Sequence, residues 1–136
     1  MRKWDKTLDL LRYDFKMQKP KINKSSKEEN KQQKTGMNFN KLIEFNDGAI
    51  VSKTILEKTA GTLTLFSFDK DQALSTHSAP FDALVQVLEG KVEITISEKP
   101  YILEQGQSII MPADEPHGLK ALTKFKMLLT MIKSKS

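Results

Sequence analysis

From Asn38 onward the chain is cut into short apolar-rich runs by turn residues, and this punctuation constrains the fold more than any other feature. The clearest run is Lys91 to Ser97, where Val92, Ile94 and Ile96 alternate with Lys91, Glu93, Thr95 and Ser97. A period of two sends one set toward a core and the other toward water, the mark of a half-buried strand. Further strands are expected near 49–56, 61–68, 73–77, 82–89, 100–104, 107–111, 117–121 and 124–132, with Glu89-Gly90, Glu98-Lys99 and Gln105-Gly106 as turns. Pro112 and Pro116 bracket a loop, 113–115, that cannot be a central strand. Strands this short and this closely spaced predict an all-β sandwich or barrel of antiparallel strands.

The residues before the body read differently. Trp4, Leu8, Leu11 and Phe15 fall at spacings that form one apolar stripe on a helix. Isolated helices of that length are marginal in water. Residues 18–36 carry a single aliphatic side chain, Ile22, among Lys, Glu, Asn, Gln and Ser, and cannot bury enough surface to offset their ordering entropy. The expected organisation is therefore a flexible, at most partly helical extension over 1–36 and one β-domain over 37–136.

The net charge of +5 belongs to that extension. Residues 1–36 hold 11 Lys and Arg against 5 Asp and Glu, leaving 11 against 12 for residues 37–136. A body so close to neutrality offers no electrostatic footprint for specific nucleic-acid binding. No apolar run has the length of a membrane span, and the basic N-terminus is not followed by a signal-like hydrophobic segment. Cysteine is absent, which removes disulfides, thiolate nucleophiles and Cys-ligated zinc, and suits a reducing compartment. A cytoplasmic location without a transmembrane segment is the expectation.

Two stretches carry the remaining chemistry: HSAPFDALVQVLEG (77–90) and GQSIIMPADEPH (106–117), each with one of the two histidines in the chain. Together with the strands around them they resemble the two motifs of a small single-domain cupin of the type-2, RmlC-like kind. His77 and Gly90 match the first motif, and Gly106, Pro112 and His117 match the second. The resemblance implies a double-stranded β-helix, the jelly-roll barrel of that family, and covers nearly the whole body. It also implies a divalent metal held by two histidines and a glutamate of the first motif and one histidine of the second. Here Ala79 stands in place of the second histidine and Ala83 in place of the glutamate. Asp71 and Asp114 replace motif glycines, and Ala121 a terminal asparagine.

Two of four ligands are thus alanine. Non-haem iron usually needs two histidines and a carboxylate, and catalytic zinc takes three protein ligands. His77 and His117 alone leave half or more of the shell to water or substrate. Asp82 is the nearest carboxylate, but alternation turns it, like Gln86, away from the face of Ala83. The apolar positions Phe66, Phe68, Val85, Val87, Ile94, Met111, Met127, Leu129 and Met131 are candidates for core or cavity lining, with core filling expected for most.

The expected function is a small-molecule-binding protein. His77 and His117 are the metal candidates, and Val85, Val87 and Met111 join them as ligand-binding candidates. At most one weakly held divalent ion is expected, with Fe, Zn, Mn, Ni and Cu not distinguished. The alternative is a metal-dependent oxygenase or isomerase using the same two histidines. A homodimer is expected, because cupins of this kind often pair through the outer face of a sheet and open edge strands gain by being covered.

Overall fold

The computed structural model describes residues 36–133. The stripe of Trp4, Leu8, Leu11 and Phe15 and the linker preceding Gly36 lie outside the described residues. A single helical turn, α1 (Phe39–Leu42), precedes nine strands: β1 (Ile50–Lys58), β2 (Gly61–Phe68), β3 (Ala73–His77), β4 (Asp82–Glu89), β5 (Lys91–Ile96), β6 (Lys99–Glu104), β7 (Ser108–Met111), β8 (His117–Ala121) and β9 (Phe125–Ile132). Every strand expected from the turn punctuation is present.

The strands form two antiparallel sheets, a five-stranded one ordered β1-β2-β9-β4-β7 and a four-stranded one ordered β3-β8-β5-β6. Their inner faces enclose the main core. From β4 come Ala83, Val85 and Val87, from β5 Val92, Ile94 and Ile96, and from β9 Phe125, Met127 and Leu129. All follow strand alternation, and each large side chain so buried contributes about 1.5–3 kcal/mol. Phe68 and Phe125 pack with ring centroids 4.7 Å apart, joining β2 to β9 at one end of the barrel.

Alternation fails informatively on β9, where Lys126 and Leu128 are buried on the outer face as well. Residues 39–46 lie over that face as a strap. Ile43 packs with Val51, Leu65 and Leu128 in a second apolar cluster that Phe39 and Leu42 border. The Lys126 ammonium donates to the Asn40 carbonyl at 2.6 Å and sits 4.9 Å from the centre of the Phe45 ring. Ser67 Oγ donates to the Glu44 carbonyl at 2.8 Å. An N-terminal strap was not expected from sequence.

One turn also differs from the expectation. The β5–β6 hairpin pairs Ile96 with Lys99, so its two-residue loop is Ser97-Glu98, not Glu98-Lys99. Both loop residues have positive φ, 48° and 72°, the combination whose twist matches antiparallel strands. Ser97 therefore leaves the strand, and its side chain donates to Glu115 Oε1 at 3.0 Å while its amide donates to the Pro116 carbonyl.

Candidate functional site

The two histidines close one end of the four-stranded sheet. His77 ends β3, His117 begins β8, and the two are direct cross-strand partners. His117 is also paired with Ile96, a core residue of β5, so its ring faces into the barrel. For His77 the inward aim needs a device. Leu74 is inward and partnered with Leu119, and simple alternation from Leu74 would turn position 77 outward. A register irregularity between Leu74 and His77 restores the inward direction, the usual use of a bulge beside a site. The rings meet edge to face, with centroids 4.3 Å apart and planes at 74°.

Each ring is oriented by its own chain. His77 Nδ1 lies 2.7 Å from the Ser75 carbonyl, and His117 Nδ1 lies 3.1 Å from the Glu115 carbonyl. A carbonyl oxygen can only accept, so each Nδ1 carries the proton and each Nε2 keeps its lone pair. Burial pushes both imidazoles below their ordinary value of 6.5, and for His117 the neighbouring His77 adds to the effect. The carbonyl contacts oppose this only in part. Near neutral pH the site consequently holds two uncharged imidazoles, each with an unprotonated Nε2.

The strand ends that share this end of the barrel carry apolar side chains. His77 leads through residues 78–81 into β4, and Met111 leads through 112–116 to His117, so these strand ends share one end of the barrel. The two connecting loops are tied together, Asp114 N donating to the Ala79 carbonyl at 2.7 Å and Ala113 N to Asp82 Oδ1 at 2.9 Å. Inside them Ala83 is buried and is partnered by Met111 on β7 and by Met131 on β9. Val85 lies one inward position deeper, opposite Ile109 and Leu129. Val87 is deeper again, opposite Met127 and about 13 Å along the strand from Ala83. Of the three apolar candidates Met111 is at the histidine end of the barrel, and Val85 and Val87 fill the core beneath.

The motif departures divide into two kinds. Asp71 and Asp114 replace glycines yet adopt left-handed backbone, φ 70° and 68°, which Asp tolerates better than most residues. Gly90, at φ 82°, is irreplaceable for a second reason: a Cβ there would overlap the Lys124 carbonyl oxygen. Those positions keep the shape of the loops. Ala79 and Ala83 change chemistry, removing donors without disturbing shape.

The divalent ion that the fold implies does not fit this donor set. Among the described residues no group of three or more His, Cys, Asp and Glu is placed to hold a metal. Asp82, the nearest carboxylate in sequence, has one oxygen on the Ala113 amide and stands on the exposed side of β4. Two imidazoles with no carboxylate leave a +2 charge uncompensated in a half-buried setting, where desolvation is costly.

A family model described as "Cupin domain" matches residues 64–133, the span that carries both histidines. The chain belongs to the cupin family. It is similar to the crystal structure of a conserved protein of unknown function from Streptococcus pyogenes, at 35% identity over 75% of this chain and 90% of that one, with a TM-score of 0.71. A cupin 2 conserved barrel domain protein from Leptotrichia buccalis matches at 39% identity and a TM-score of 0.69 over 71% of this chain. The match covers 47% of that chain, so this cupin spans about half its length. An RmlC-like cupin from Desulfovibrio desulfuricans matches at 25% identity over 73% of this chain and 96% of that one, with a TM-score of 0.65. None of the curated proteins compared with the chain matches it. Among the described residues no helix is long and apolar enough to cross a membrane.

Proposed function

We propose that this cupin is a small-molecule-binding module whose recognition point is the His77–His117 pair. The observation that carries the reading is the placement of both Nδ1 protons on backbone carbonyls, which leaves the Nε2 lone pairs of two rings with centroids 4.3 Å apart for a ligand. At the same end of the barrel, Ala83, Met111 and Met131 form an apolar row whose thioethers adapt to shape. The matching ligand has one or two hydroxyl or N–H donors at one end and an apolar body. Each such hydrogen bond to a buried acceptor is worth about 0.5–1.5 kcal/mol net.

The test is a thermal-shift and NMR screen of the full chain against donor-bearing aromatic and aliphatic compounds, repeated on His77→Ala and His117→Ala. Hits that both variants lose support the reading. Hits that persist in both variants overturn it. A metal-dependent oxygenase or isomerase needs a stoichiometric divalent ion, and elemental analysis of protein purified without a histidine tag separates the two readings. Two copies would pair through the outer side of the five-stranded sheet, where Ile110 and Ile132 are exposed and Leu84 is the partner of Ile110. Sedimentation of the full chain and of Ile110→Lys measures it.

A further inference from the structure

The strap covers only part of the outer face of the five-stranded sheet. It closes over Leu65 and Leu128, which are partners in the β2–β9 register. One outward position further along the strands, toward the histidine end, the register aligns Leu56, Leu63, Thr130, Leu84 and Ile110 in a single row across β1, β2, β9, β4 and β7. Leu56 and Ile110, at the two ends of the row, are 41% and 61% exposed, and Ile132, two residues beyond Thr130 on the same face, is 54% exposed. Apolar side chains exposed singly need no explanation, but a contiguous row of them marks a surface that something covers. The row spans four interstrand spacings, about 19 Å. It is continuous with the apolar cluster under the strap, against which Leu63 already packs.

The chain itself carries a matching piece. Trp4, Leu8, Leu11 and Phe15 make one apolar stripe on a helix, and from Trp4 to Phe15 such a helix measures about 16 Å. Alone, a helix this short is marginal in water, so the stripe needs a surface as much as the row needs a cover. Residues 16–35 join it to Gly36, where the described chain leads into the strap on this same face of the sheet. A stretch of that length reaches up to roughly 65 Å, several times the length of the row. We propose that the segment carrying Trp4, Leu8, Leu11 and Phe15 docks as a helix on the row from Leu56 to Ile110 of its own chain, extending the strap and leaving that face closed to a second copy. Pairing of two copies uses the same row and is open to a chain whose segment is displaced. The histidine pair faces the inside of the barrel and is independent of either state.

Trp4 is the only tryptophan in the chain, so its fluorescence reads the position of the segment without a label. For the full chain the expected result is emission blue-shifted from that of tryptophan in water, several-fold protected from acrylamide quenching, and unchanged on dilution while the protein sediments as a monomer. A Leu56→Lys, Ile110→Lys variant of the full chain is expected to shift the emission to the red and to restore quenching, and both side chains are exposed, so the barrel tolerates the charges. A Leu8→Lys, Leu11→Lys variant leaves the barrel unaltered and keeps the proposal falsifiable should the first variant unfold. It is expected to give the same red shift and to raise carbene labelling of Leu56 and Ile110 several-fold. Water-like emission from the native full chain overturns the proposal, as does a blue shift that survives both variants. A blue shift that fades on dilution as a dimer dissociates assigns the face to a second copy and overturns it. A blue shift that appears only when anionic lipid vesicles are added assigns the stripe to a membrane surface and overturns it too.

Discussion

Ala83 stands directly opposite Met111 in the β4–β7 register, on the inward face beneath the histidine-bearing end of the barrel. A methyl group there leaves the two imidazoles without a carboxylate. Ala83→Glu puts an acid on that inward face, and the expected outcome is a gain of divalent binding, at least tenfold for zinc by calorimetry. Without metal the same change costs about 1–3 kcal/mol in urea unfolding, because a polar group is buried without a partner. Unchanged zinc affinity would show that position 83 does not look onto the pair.

Acidification tests the burial of the histidines. Both have folded values below 6.5, so the unfolded chain takes up protons first. Their contribution to stability is therefore complete above the unfolded value and is lost as pH falls through 6.5 toward the lower folded values. Thermal unfolding followed between pH 8 and pH 5 (about one to two units either side of the imidazole range) should show a falling Tm. The slope should flatten in a His77→Gln, His117→Gln variant. An equal slope in that variant would place the acid sensitivity elsewhere.

Backbone geometry separates the glycine positions. Gly90→Ala meets both a left-handed φ and the Lys124 carbonyl and is expected to cost well over 1 kcal/mol, whereas Gly106→Ala, at φ 90° with nothing nearby, costs about 1 kcal/mol. Asp114→Gly, at φ 68°, should shift stability by less than about 1 kcal/mol. Chemical denaturation measures all three, and the order Gly90 above Gly106 above Asp114 is the expected result.

The strap depends on Lys126. Its ammonium is nearly buried, bonded to the Asn40 carbonyl, near Phe45 and 3.9 Å from Glu89 Oε1. Lys126→Met keeps the apolar stem and removes the charge-assisted bond, worth about 1.5–3 kcal/mol. Faster hydrogen exchange confined to residues 39–46 is expected. Unaltered exchange there would mean that Ile43 and its apolar neighbours hold the strap alone.

Alternation in Lys91–Ile96 and the turn glycines were enough to place nine strands, because both signals are local. The histidine pair was legible through motif spacing, but not the reason that His77 points inward, since the irregularity after Leu74 depends on pairing with β8. The Met111–Ala83–Met131 row was hidden for the same reason: register across strands is a tertiary fact. The strap over β9 was missed because Leu128 and Lys126 read as an outward face until residues 39–46 cover it. Asp71 and Asp114 looked like losses from the motif and proved to be conformational equivalents.

Both imidazoles are neutral, protonated at Nδ1 and unprotonated at Nε2. Long-range proton–nitrogen NMR of the full chain at pH 7.5 (about one unit above the free imidazole value) reads it directly, and with two histidines in the chain single substitutions assign the signals. The expected spectrum has a pyridine-like Nε2 and a pyrrole-like Nδ1 for both rings. A proton on Nε2 of either ring, or the near-equivalent nitrogens of a charged imidazolium, overturns this assignment.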